Sequence, residues 1–135
     1  MANEAVIVEL LGNAGDAVSY TVADGTGIEK GTLLYLSADP RTVAASSADG
    51  QIFVGIAAAE KVANDGSTTL SAYTNGIFDL TDSGSGMTLG DTVKLNGANL
   101  ITTADEAGAQ DYSQIVGIVL ETASASEVVQ VKVRK

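Results

Sequence analysis

Any chemistry in this chain would have to come from serine, lysine and carboxylate side chains, because the sequence contains neither histidine nor cysteine. Their absence removes the common general base near neutral pH, the most frequent transition-metal ligand and the thiolate nucleophile. A serine activated by a buried lysine would need Lys30, Lys61 or Lys94, yet no S-x-x-K motif accompanies any of them. We therefore predict no catalytic residue and no cofactor, and we interpret these lysines as solvated.

Two pairs of acidic residues have the chemistry for glycoside hydrolysis. Asp79 with Asp82, or Asp105 with Glu106, would supply two carboxylates, which that reaction needs about 5 to 10 Å apart across a sugar-binding cleft. The chain has no Trp and few other aromatic residues to stack on a sugar. Hydrolysis is therefore not expected, while a carbohydrate-binding module stays an alternative.

Calcium is the one ion that the residue types favour. Residues 24–29 and 64–67 are rich in the hard oxygen ligands that calcium prefers. Neither segment matches the EF-hand loop, and Asp-Gly is more typical of a plain turn. We predict no metal site, although the sequence leaves open whether one of these loops binds calcium.

Charge is unevenly distributed along the chain. The formal net charge is −10, and residues 1–127 hold all 17 acidic residues but only four of the seven basic ones. The remaining basic residues, Lys132, Arg134 and Lys135, lie at the end. Such an acidic surface repels phosphate backbones and anionic lipids, so neither nucleic acid nor a membrane is an expected partner. Solubility explains the charge most simply, and a cationic partner surface is the alternative.

The fold class follows from composition and strand patterns. A chain of 135 residues, with 45% hydrophobic residues, has the size of one domain with a buried core, so we predict a single β domain over residues 1–135. Short runs rich in β-branched residues predict strands at residues 6–10, 18–22, 31–36 and 70–74, and valines alternate with polar residues from Val129 onward. No segment sustains a helical period, so the fold should be all-β with at most one short helix, at residues 105–113.

Turn signals predict how the strands connect. Pro40 should end the strand that precedes it, because proline cannot donate to a ladder. Asn75-Gly76 is the strongest short signal for a two-residue hairpin, here between strands at residues 70–74 and 77–80. Residues 82–86 are glycine and serine rich, so we predict a flexible surface loop there, which could also divide two lobes.

A repeated unit is the most informative feature of the sequence. A glycine turn and strand at residues 31–37 lead to a second strand at 52–57, and residues 90–96 lead to 115–119 in the same way. The structural glycines that mark these units are Gly31 and Gly55 in the first copy and Gly90 and Gly117 in the second. Glycine at the centre of a strand usually marks a bulge, a barrel corner or a close backbone approach. We expect the two units to close on one another as a small barrel.

The order of these motifs resembles a known family. Residues 15–21, 31–36, 54–57, 90–93 and 115–119, followed by a valine-rich basic end, are similar over nearly the whole chain to the head decoration, or capsid cement, proteins of tailed phages. The resemblance implies a small β-barrel or tulip-like domain on the exterior of the virion capsid. It also implies that this domain, often a trimer, stabilises the head by bridging neighbouring major capsid subunits. It carries over no catalytic residue.

The apolar N-terminal run is the candidate contact with such a shell. Residues 1–11 could form a flexible arm, and its strand could pair with a free strand edge on the capsid through main-chain hydrogen bonds. An ordinary internal barrel strand is the alternative interpretation. The predicted capsid-contact residues are Glu4, Ala5, Val6, Ile7, Val8, Glu9 and Leu10. Another structural or adhesive β domain is the alternative function.

Overall fold

The computed structural model describes residues 2–104 and 112–135, and in these ranges the chain forms strands, turns and one 3-10 turn at Tyr112–Gln114. The predicted all-β class is confirmed. In chain order the strands are β1 Val6–Glu9, β2 Val18–Thr21, β3 Leu33–Leu36, β4 Val43–Ala45, β5 Phe53–Ala57, β6 Thr69–Tyr73, β7 Asn75–Asp82, β8 Thr92–Leu95, β9 Leu100–Thr103, β10 Ile115–Val119 and β11 Val128–Arg134.

Strands β7 to β11 form a closed barrel. Their order is β7-β11-β10-β8-β9, and β9 closes the ring by pairing in parallel with the end of β7. Buried and more exposed residues alternate along β7 and β11, because successive side chains of a strand point to opposite faces. The alternating valines Val129, Val131 and Val133 are fully buried. The predicted small barrel is therefore confirmed.

Strands β2 to β6 form a second sheet with the same topology. Its order is β2-β6-β5-β3-β4, and Thr21 of β2 forms an isolated parallel bridge with Thr42, the residue before β4. The Thr21 amide donates to the Arg41 carbonyl at 2.9 Å, and Nε of Arg41 donates to the Ser19 carbonyl at 3.0 Å. Backbone and side chain thus hold this second sheet almost closed.

The two halves correspond strand for strand, β2 with β7 through β6 with β11. The predicted units, β3 with β5 and β8 with β10, occupy equivalent places in the two sheets. They do not close on one another as expected. Each unit finds its other neighbours among the strands next to it in sequence, because short connections favour such pairing. We call residues 18–73 the first half and residues 75–134 the second half.

The predicted hairpin at Asn75-Gly76 is wrong. Both residues lie inside β7 and pair with Arg134 and Val133, while β6 belongs to the other sheet. Gly76 has a φ of 142°, and a Cβ there would lie 2.8 Å from the Glu9 carbonyl oxygen. The glycine therefore permits a close backbone approach where the chain passes from one sheet to the other.

Two apolar clusters fill the molecule. The first joins the barrel interior to side chains from the other half, Leu33, Phe53 and Ile56, all almost completely buried. The second lies inside the first half, around Leu34 and Val43. Because the first cluster draws on both halves, their interface is part of the main core.

Asn99 makes a buried polar contact between the halves. It is fully buried in the turn between β8 and β9, and its side-chain oxygen accepts a hydrogen bond from the Leu33 amide at 2.9 Å. Its own amide donates to Oγ of Ser46 at 2.9 Å, and its side-chain nitrogen donates to the Ala2 carbonyl at 3.0 Å. One side chain thus ties the barrel to β3 and to the N-terminal segment.

The remaining sequence expectations concern segments between strands. β3 ends at Leu36, before Pro40, as predicted. The halves divide at Thr74, so the loop at residues 82–86 does not separate two lobes. Most of the short helix expected at residues 105–113 lies outside the described residues. Within the described part of the chain, no helix has the length and apolarity needed to span a membrane.

Candidate functional site

The predicted contact segment lies at the margin of the barrel. β1 pairs with the first part of β7 in antiparallel fashion, and the register shift between Ile7 and Glu9 makes Val8 a β-bulge. Ala5, just before the strand, is buried, and its amide donates to the Gly31 carbonyl at 2.7 Å. Glu4 and Leu10, at the ends of the segment, are half-buried. The segment is therefore anchored at both ends.

The middle of this segment presents apolar side chains to solvent. Val6 is 58% exposed, Ile7 37% and Val8 45%. Among residues 2–104 and 112–135, β7 is the sole strand that pairs with β1, which leaves the outer edge of β1 without a partner strand. An exposed apolar edge strand is a template for pairing with another chain. We call β1 with this outer edge the edge strand.

The two loops considered for calcium come together around a lysine. Nζ of Lys61 lies 3.0 Å from Oδ1 of Asp24 and 2.7 Å from Oδ1 of Asp65, and it also donates to the carbonyls of Asp24 and Val62. Lys61 is 2% exposed, so the solvated lysine that we expected at this position is wrong. The ammonium group occupies the position between these two carboxylates.

The charge state of Lys61 follows from those contacts. Burial by itself lowers the pKa of the ammonium group, but hydrogen bonds and ion pairs with Asp65 and Asp24 outweigh it and raise the pKa above 10.5. The hydrogen bond from Lys61 in turn lowers the pKa of Asp65. A lysine held protonated in this way cannot serve as a general base near neutral pH. Lys94 pairs with Asp49 at 3.0 Å, and Lys30 is exposed.

Of the carboxylates considered for hydrolysis, Asp79 and Asp82 do not form a pair. Asp79 and Asp82 lie on opposite faces of β7, with Asp79 half-buried on the outer face and Asp82 1% exposed. Asp105 and Glu106 lie outside the described residues. Among residues 2–104 and 112–135, no three acidic side chains converge as metal ligands would.

Asp82 instead organises the loop at residues 82–86. Its Oδ2 accepts the amides of Gly86 at 2.7 Å and Ser126 at 3.2 Å, and its Oδ1 accepts the hydroxyl of Ser85 at 3.2 Å. Burial alone would raise the pKa of this carboxyl, but the amide donors outweigh it and lower the pKa below 3.8. The carboxylate therefore stabilises the junction between β7 and the connection that precedes β11.

The lowered pKa of Asp82 predicts that the free energy of unfolding falls at acid pH. A carboxyl group with a lowered pKa in the folded state adds stability above its unfolded pKa, and that contribution is lost as the pH falls through the folded value. We expect urea denaturation of the wild type to show this loss below about pH 4, starting near the ordinary value of 3.8. Asp82→Ala should be less stable by about 2 kcal/mol at pH 7 and should have a flatter acid limb. Asp39→Asn, at an exposed position, is the control. If the stability of Asp82→Ala fell as steeply with decreasing pH as that of the wild type, the role of the Asp82 carboxylate would be contradicted.

The four structural glycines take equivalent places in the two halves. Gly31 and Gly90 both have a φ of 90°. Gly55 follows a register shift in the pairing of β5 with β3, and Gly117 follows one in the pairing of β10 with β8. A Cβ on Gly55 would lie 2.7 Å from the Tyr73 carbonyl oxygen, and one on Gly117 would overlap the Lys132 carbonyl oxygen. The central glycines let neighbouring backbones approach more closely than a side chain would allow.

Sequence reasoning missed two exposed side chains of the barrel. Ile118 is 42% exposed on β10, and Tyr112 is 69% exposed just before that strand. The run that contains Ile118 has no polar residue, so its outward face could not be recognised. These side chains form a second exposed apolar area, far in sequence from the edge strand.

The described residues thus form two equivalent five-stranded sheets, ion pairs at Lys61 and Lys94, and an apolar edge strand with no partner strand on its outer side. Residues 12–135 match the family model of the phage cement proteins, and the chain belongs to this family. The family places the protein on the virion capsid. The N base of the head fiber gp8.5 of bacteriophage phi29 has a similar fold, with a TM-score of 0.55 and 19% identity over 87% of this chain and 93% of that chain. The curated proteins contain no significant match.

Proposed function

We propose that the protein stabilises the assembled phage head by binding the capsid surface and bridging neighbouring major capsid subunits. Membership of the cement family supports binding to the capsid, and the edge strand is the observation that supports a specific mode of attachment. No catalytic step is part of this function. The core cluster shared by both halves supports their folding as one domain, which would transmit load between two contacts.

Attachment would occur by strand addition to the edge strand. The outer edge of β1 offers main-chain donors and acceptors, and the exposed side chains of Val6, Ile7 and Val8 would be covered by the added strand or by the shell beside it. The hydrogen bond from Ala5 to Gly31 holds this edge in place before binding. The edge strand therefore loses less conformational entropy on binding. The trimer implied by the family resemblance stays a prediction, which sedimentation of the free protein would test.

Charged side chains on the edge strand should weaken capsid binding. We expect the double variant Val6→Lys, Val8→Lys to bind purified shells at least about tenfold more weakly than the wild type, because lysines oppose strand addition at an exposed edge. Both positions are well exposed, so the fold should be retained, whereas deletion of residues 2–8 would also remove the bonds of Ala2 and Ala5. Co-sedimentation with shells measures the occupancy.

Leu89→Lys is the matched control, since Leu89 is an aliphatic residue that is 64% exposed outside the edge strand. It should bind as the wild type does. Unchanged occupancy of the folded double variant would rule out attachment by the edge strand, and wild-type protein that fails to bind shells would rule out the function itself.

A further inference from the structure

A second exposed surface lies on the outer face of the barrel. Thr92, Ile118 and Lys132 are direct cross-strand neighbours on β8, β10 and β11, and Tyr112 lines the same groove. Together they border a groove of about 340 Å³. We call it the barrel groove, and its lining residues are Thr92, Tyr112, Ile115, Gly117, Ile118, Lys132 and Arg134.

The equivalent surface of the first half is covered by the second half of the same chain. Leu33, Ile56 and Tyr73 take the places there of Thr92, Ile118 and Lys132, because Ile56 pairs with Leu33 on one side and with Tyr73 on the other. Leu33 and Ile56 are 0% and 1% exposed in the core shared with the barrel.

The ring of Tyr73 lies 6.0 Å from that of Phe78, which belongs to the barrel. The row on β3, β5 and β6 is thus covered by the second half of the same chain. In the second half the corresponding row includes Ile118, which is 42% exposed in the described structure. Among the described residues, a surface of the same sheet geometry is therefore exposed on the second half.

The rim of the barrel groove carries the opposite charge to most of the protein. Lys132 and Arg134 both line it, whereas residues 1–127 hold all 17 acidic residues of the chain. Lys135 fixes one wall, because its Nζ lies 4.5 Å from the centre of the Tyr112 ring and donates to the Tyr112 carbonyl at 2.7 Å. An apolar floor with a cationic rim selects a partner with an apolar side chain between carboxylates.

We propose that the barrel groove binds an acidic segment of the capsid shell protein. One aliphatic or aromatic side chain of that segment would pack against Ile118 and Tyr112, and its neighbouring carboxylates would pair with Lys132 and Arg134. The proposal rests on the proposed function and adds to it, because a protein that bridges two subunits needs a second contact besides the edge strand.

Three variants of the full chain test this proposal on purified shells. Ile118→Asp removes the apolar contact, and the double variant Lys132→Glu, Arg134→Glu reverses the rim charge. Val128→Asp is the control, since Val128 lies on β11 outside the groove and is 57% exposed. We expect both groove variants to bind at least about tenfold more weakly at low salt, and the control to bind as the wild type does. Rising salt should weaken the wild type more than the charge-reversed variant.

The outcomes separate this proposal from the function on which it rests. Wild-type occupancy by both folded groove variants would overturn the barrel groove contact, while edge-strand variants would still report on capsid binding. Groove variants that change the sedimentation of the free protein, but not its binding to shells, would assign the groove to a second copy and overturn the shell-segment proposal. Wild-type protein that binds no shell would overturn both proposals.

Discussion

Replacing Gly117 by alanine is expected to destabilise the protein by about 3 kcal/mol or more, a large fraction of the stability of an ordinary domain. A Cβ at this position would overlap the Lys132 carbonyl oxygen and lie 2.8 Å from the Lys132 carbonyl carbon. Both contacts are with the backbone of β11, so no side-chain rotation can relieve them. The barrel would have to separate β10 from β11, and the hydrogen bonds of that pair would weaken.

Urea denaturation of three alanine variants measures this effect as a graded series. Gly55→Ala should be destabilised in the same way but less, because its Cβ would lie 2.7 Å from the Tyr73 carbonyl oxygen. Gly25→Ala is the control, since the nearest atom to its Cβ would be 3.9 Å away. Equal stability of Gly117→Ala and Gly25→Ala would show that β10 and β11 do not approach as described.

Replacing Asn99 by alanine should cost about 2–4 kcal/mol, because it leaves the buried Leu33 amide and the Ala2 carbonyl without their partner. Asn99 also has a φ of 55°, a conformation that asparagine tolerates better than alanine does. The loss should appear in thermal unfolding. Hydrogen exchange should additionally show reduced protection of the Leu33 amide.

Asn64→Ala is the matched control for the backbone part of this effect. Asn64 has a φ of 60° but an exposed side chain, so its replacement changes the same backbone preference without removing a buried hydrogen bond. A variant at Asn99 no less stable than the one at Asn64 would contradict the role of Asn99 between the halves.

Local patterns predicted the strands and the repeat well. Valines at every second position of β11 predicted its buried face, because a strand alternates its side chains between two surfaces. The repeat was visible because the same glycine-hinged strand pair occurs in both halves. Which strands close the barrel could not be read from these patterns, since pairing over long sequence separations leaves no local signal.

The errors arose where tertiary contacts override local preference. Asn75-Gly76 has the residue types of a hairpin turn, but the backbone of Glu9 next to Gly76 explains the glycine instead. Lys61 could not be recognised as buried, because one of its two carboxylate partners, Asp24, is distant in sequence. Ile118 is exposed because the second half covers the equivalent row of the first half while its own row stays exposed. This arrangement is a property of the assembled fold.

A density map of the cognate phage head with the protein bound tests the central claim most directly. We predict that each bound copy contacts two neighbouring major capsid subunits, with a shell strand beside β1 at one of these contacts. A bound copy that touches a single subunit, or a shell that excludes the protein altogether, would contradict capsid stabilisation by bridging.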